Sequence, residues 1–96
     1  MKLPAPQIEK SAGCIKAMAH PLRLSILALL QEGEKNVQDL TQALGAGQSN
    51  VSQHLAQMRA RGLVTARREG NMVYYAVGHP KIARLMALMR EVFCGE

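Results

Sequence analysis

The chain has 96 residues and a mass of 10.5 kDa, a size that holds one domain, because half of it could not enclose a core. With 48% hydrophobic and 20% charged residues it is neither disordered nor a run of membrane spans. A net charge of +5 and an isoelectric point near 9.7 favour a polyanionic partner over an acidic small substrate.

Pro4 and Pro6 mark a frayed start. Ile8, Ala12, Ile15 and Ala19 then recur at i, i+4, i+7 and i+11, the period of a helix. His20-Pro21 interrupts that pattern, and proline is favoured at a first helical position, so a second helix opens there. It runs to about Gln31, with Leu22, Ile26, Leu29 and Leu30 inward and Gly33 as its stop. Residues 32–35 read as a loop. Asn36 is a good N-cap for a short helix from Val37 to Leu44. After the tight turn Gly45-Ala46-Gly47, a further helix spans about Gln48 to Arg61, with Val51, Leu55 and Met58 inward and Gly62 at its end. Two short helices about a glycine-containing turn have the form of a helix-turn-helix. Beyond Gly62 the period becomes two: a strand over 63–68, a turn at Glu69-Gly70-Asn71 and a strand over 72–77, together a hairpin. His79-Pro80 opens a last helix to about Phe93, with Ile82, Leu85, Met86, Met89 and Phe93 on one face. The expected fold is mainly α with a β-hairpin wing, in the order ααααββα.

The charge is concentrated. Residues 48–75 carry Arg59, Arg61, Arg67 and Arg68 against Glu69 alone, more than half of the excess. In the same stretch Gln48, Ser49, Asn50, Ser52, Gln53 and His54 project short, uncharged hydrogen-bonding groups from the first two turns of a helix. Base edges present donors and acceptors rather than full charges, so such side chains suit direct readout. They lie where a helix-turn-helix places its base contacts, at the N-terminal end of its second helix. Arg67, Arg68 and Asn71, expected at the hairpin tip, could then reach phosphate or the minor groove. Double-stranded DNA is the expected partner. No nucleophile–base–acid set, phosphate loop or cofactor motif appears, so neither an enzyme nor a cofactor is expected. The opening segment MKLPAPQIEK has no apolar stretch of the kind that heads a secretory signal, and a cytoplasmic location with no membrane attachment is expected.

Lys16-Ala17-Met18-Ala19-His20-Pro21-Leu22-Arg23-Leu24, Val51-Ser52-Gln53-His54-Leu55, Gly62-Leu63-Val64 and Val73-Tyr74-Tyr75 resemble the ArsR/SmtB family of bacterial winged helix-turn-helix repressors. The resemblance covers nearly the whole chain in order. It implies a homodimer built on the first and last helices, and a signal that loosens DNA binding. The broad apolar faces of those helices agree, since a partner could cover them. A two-fold dimer sets its reading helices about 34 Å apart and calls for a near-palindromic operator.

The family's metal sites are not matched here. The cysteine-rich site would need thiols around Asn36-Val37-Gln38-Asp39-Leu40, where there are none, and the last-helix site would need ligands near His79, Lys81, Val92 and Gly95, of which His79 alone qualifies. No metal site is expected at either place. Two cysteines are too few for a disulfide scaffold. Cys94, in Val92-Phe93-Cys94-Gly95, is similar to the last-helix thiol of the family's thiol-switch subgroup (the BigR, SqrR and HlyU type). That subgroup carries its other cysteine on the second helix, where this chain has Ala28; here the second thiol is Cys14, on the first helix. Three readings stay open: a thiol switch answering oxidants or reactive sulfur, a site for arsenite or another thiophilic ion, and two unrelated thiols. A protein-interaction module with no sensing role remains the rival class.

Overall fold

A computed structural model describes residues 2–96. The elements are α1 (Ala5–Met18), α2 (Pro21–Leu30), β1 (Lys35–Asn36), α3 (Val37–Leu44), α4 (Gln48–Ala60), β2 (Val64–Glu69), β3 (Met72–Val77) and α5 (Ile82–Met89), with a π-helical turn over Arg90–Cys94. The winged helix-turn-helix expected from the sequence is present.

Local chemistry explains most boundaries. α1 starts earlier than expected, because Pro6 falls within the first helical turn, where the missing N–H has no partner to lose. α1 and α2 meet at 90°, and His20 makes the corner by accepting a hydrogen bond from the Leu22 N–H on its Nδ1. α3 opens on a reciprocal capping box: Asn36 accepts from the Asp39 N–H at 2.8 Å, and Asp39 accepts from the Asn36 N–H at 3.3 Å. Gly45 ends α3 in the left-handed region, at φ 64°.

The sheet corrects the expected loop at 32–35. Lys35 and Asn36 form a short strand on β3, giving the order β1-β3-β2 with both pairs antiparallel. The element order is therefore ααβααββα. At the base of the hairpin the Gly78 N–H donates to the Leu63 carbonyl at 2.8 Å. A Cβ on Gly78 would collide with the Gly62 carbonyl, so only glycine permits this approach.

Ile26 and Leu27 of α2, Leu40 of α3, and Val51, Leu55 and Met58 of α4 are fully buried, with Val64 of β2 beside them. The core sits where these four elements meet, and among the described residues it contains no aromatic residue and buries no polar side chain. The last helix departs from expectation. It begins at Ile82, and Phe93, expected to face inward, is 77% exposed in the turn beyond it. Ile8, Ile15, Leu85, Leu88 and Val92 are exposed as well. The chain presents 6679 Å² of surface against about 5,400 Å² for a compact protein of this mass. Its radius of gyration is 14.1 Å against about 12.5 Å. Exposed apolar side chains on α1, α5 and the π turn, left uncovered by the chain's own core, contribute to this excess.

Candidate nucleic-acid interface

α4 is held by one face. Val51, Leu55 and Met58 sink into the core, which fixes the rotation of the helix and turns Gln48, Ser49, Asn50, Ser52 and Gln53 outward, all exposed. Its N-cap is Gly47, which supplies no side-chain cap. The first-turn N–H groups and the positive end of the helix dipole are therefore open at the end that carries the residues expected to read bases.

His54 is placed differently from its five neighbours. It is half-buried, and its Nδ1 accepts a hydrogen bond from the Arg23 Nε–H at 2.9 Å. Its ring lies 4.5 Å from that of His20. Burial, then the charges of His20 and Arg23, hold its pKa below the ordinary imidazole value. Arg23 also donates to the Ala17 carbonyl at 3.0 Å and to Gln57 Oε1. One guanidinium thus ties the end of α1 to two positions on α4. Nothing in the sequence reading singled out Arg23, although it is the one ionisable side chain in the apolar run PLRLSILALL of α2.

The wing divides its arginines. Arg67 stands opposite Tyr74 and Arg68 opposite Val73, with Gly70 and Asn71 at the tip. Arg67 was expected at that tip with a free charge; instead it crosses the Tyr74 ring, 5.1 Å from its centre, to reach Glu34 on the far side of β3. The contact is bidentate, at 3.0 and 2.9 Å, and Glu69 adds a second carboxylate at 3.4 Å. The hydrogen bond from Arg67 lowers the Glu34 pKa, and the same bond raises that of Arg67. Arg67 is thereby neutralised and fastens the hairpin to β1. Arg68 makes no ion pair among the described residues, and Asn71 is exposed. The sequence reading did not single out Glu34, because its partner is 33 residues away.

Cys14 and Cys94 are both free thiols, the first half-buried on α1 and the second exposed at the end of the π turn. Within the chain α1 packs chiefly on α2 and α4. Among the described residues no group of three or more His, Cys, Asp or Glu could hold a metal ion, and no single helix is long and apolar enough to cross a membrane.

Comparison with known proteins bears on this geometry. Residues 20–66, from the corner before α2 into β2, match the family of bacterial regulatory proteins named arsR. The biofilm growth-associated repressor of Agrobacterium fabrum is 35% identical over 97 residues, covering 97% of this chain and 83% of that protein. The solved structure of HlyU from Vibrio cholerae, a protein named as a transcriptional activator, superposes with a TM-score of 0.83 at 34% identity, over 95% of this chain and 99% of HlyU. A homodimeric winged helix-turn-helix DNA-binding domain from Mycobacterium bovis, Mb0332, superposes at 0.84 with 39% identity, over 92% of this chain and 82% of that one. The residues matched include the whole helix-turn-helix, and the superpositions extend over the wing and the outer helices. The chain is a member of the ArsR family of DNA-binding transcriptional regulators.

Proposed function

We propose that this protein is a homodimeric, sequence-specific repressor that releases a near-palindromic operator when a thiol-directed signal acts on Cys14 and Cys94. In this reading Gln48, Ser49, Asn50, Ser52 and Gln53 read base edges. Arg68, Asn71 and the open N-terminus of α4 take backbone phosphates. Arg67 acts as the wing's fastening, and His54 as the seat of α4 on α2.

The observation that carries the switch is where the thiols lie. Cys14 neighbours the exposed Ile15, and Cys94 follows the exposed Val92 and Phe93. In this reading both thiols lie on the two elements, α1 and the turn after α5, whose exposed apolar residues a second protomer would cover. A covalent link there would shift the layer that sets the spacing of the two α4 helices, and half-site spacing is what a two-fold reader cannot vary. HlyU offers a parallel, since one of its solved structures is of the reduced protein.

Peroxide would take two electrons and two protons from the thiols and leave a disulfide, with the peroxide reduced to water. Polysulfide would leave one or more of its inner sulfurs in the bridge, while its two terminal sulfurs take the thiol protons and depart as hydrogen sulfide. A direct disulfide needs Cα atoms within about 7 Å, and a longer sulfur bridge spans more. Intact-mass measurement before and after each reagent, paired with gel shift on duplexes selected from a random pool, tests the proposal. Expected are a loss of two hydrogens or a gain of whole sulfurs, or a linked pair of chains, together with weaker operator binding. Unchanged mass and affinity would sink the thiol reading. Arsenite release of DNA without oxidation would replace it with the metalloid one, and absence of any preferred duplex would favour an interaction module.

A further inference from the structure

α1, α2 and α4 enclose an open groove lined by Gly13, Lys16, His20, Arg23, Gln57 and Arg61, with alanines between them. No acidic residue lines it. Outside the groove Lys35, Arg67 and Arg90 each face a carboxylate, whereas Arg68 and several other exposed cations face none among the described residues. Among the described residues Lys16, Arg23 and Arg61 face none.

The central guanidinium is held in place without losing its charge. The three acceptors on Arg23 are the Ala17 carbonyl, His54 and Gln57, all neutral. A guanidinium has five N–H groups, so two remain to bind a further partner. Arg61 lies against α1 at Gly13, where a Cβ would come within 2.5 Å of its Nη1. His54, at the edge of this cluster, has its pKa lowered by burial and by the neighbouring His20 and Arg23 charges, as a positive field requires. Asn50, His54, Gln57 and Arg61 fall at i, i+4, i+7 and i+11, one stripe of α4. Gln57 and Arg61 of this stripe line the groove, which therefore lies at the far end of the α4 face, about 16 Å along the axis from Asn50.

We propose that this groove seats a phosphate group, held between the Arg23 guanidinium, Lys16 and Arg61. A planar guanidinium with free N–H groups suits two phosphate oxygens, and the lysine adds a point charge. The phosphate belongs either to the DNA backbone flanking the reading helix or to a phosphorylated solute whose binding bears directly on α4. The site stands apart from the thiol reading, since neither cysteine lines it.

The test is the variant Lys16→Gln/Arg61→Gln. Both side chains are exposed, and Arg23 is left in place because it seats α4. Lys10→Gln/Arg59→Gln removes the same charge from exposed positions outside the groove and serves as control. Inorganic phosphate is titrated into DNA-free protein while amide NMR shifts are followed. The operator affinity of each protein is also measured against salt. A phosphate-bearing solute is indicated by saturable shifts at Gly13 and Gln57 in wild type and control that disappear in the groove variant. A DNA phosphate is indicated by a salt slope that falls by about 1 to 2 in the groove variant beyond the control. Phosphate shifts that are absent, or unchanged by the variant, together with a slope equal to the control's, would overturn the proposal.

Discussion

The inward residues of α4 are fully buried within their own chain, whereas α5 buries Ile82 and leaves Leu85 and Leu88 exposed, with Val92 and Phe93 of the turn after it. The two ends of the molecule obey the same apolar periodicity with opposite outcomes. α3, α4 and the wing are closed by a capping box, a shared core and the Glu34–Arg67 link. α5 has no side-chain cap and gives way to a π turn. The lesson is that the α3–α4 and wing half is closed within one chain, while the other half keeps an apolar face that the proposed dimer would cover; the similar Mb0332 domain is homodimeric.

Substitutions can break each half separately. Leu55→Ala, in the closed half, should lower stability by about 2–5 kcal/mol through a cavity the packed core cannot fill, read by chemical denaturation at fixed concentration. A loss under 1 kcal/mol would mean α4 is not anchored as described. Leu88→Glu, in the open half, should yield a monomer by sedimentation and weaken operator binding about 100-fold or more, the loss of linked half-sites. A dimer of unchanged affinity would move the interface elsewhere. Gln53→Ala should leave the fold intact and reduce discrimination at one base pair by about 1–3 kcal/mol, measured by competition between single-substitution duplexes. Arg68→Ala should weaken all duplexes alike and flatten the salt slope by about 0.9. Arg67→Ala should leave that slope unchanged and speed amide exchange in β2 and β3.

The smallest effect concerns pH. His54 has a depressed pKa in the folded chain. The unfolded chain therefore takes up its proton first as pH falls below about 6.5. Stability should decline across that window, down to the lower folded value, and recover above it. His54→Gln should shrink the decline, as followed by thermal melts at several pH values.

What could be read from the chain without coordinates was what is encoded locally. The His20-Pro21 corner, the Asn36 cap and the inward triplet Val51, Leu55 and Met58 each depend on residues within a few turns, and all are found. β1 was illegible because two residues carry no period, and its pairing with Tyr74 and Tyr75 is remote in sequence. The fastening of Arg67 and the seating of α4 by Arg23 are remote in the same way. Phe93 was placed inward because apolar periodicity marks a face to be covered without saying by which chain.

Sedimentation of the protein, free and on a palindromic duplex selected from a random pool, tests the division between the two halves most directly. Two chains should sediment together before DNA is added and bind as a pair to one duplex. Independent monomers that each occupy a half-site without associating would contradict it.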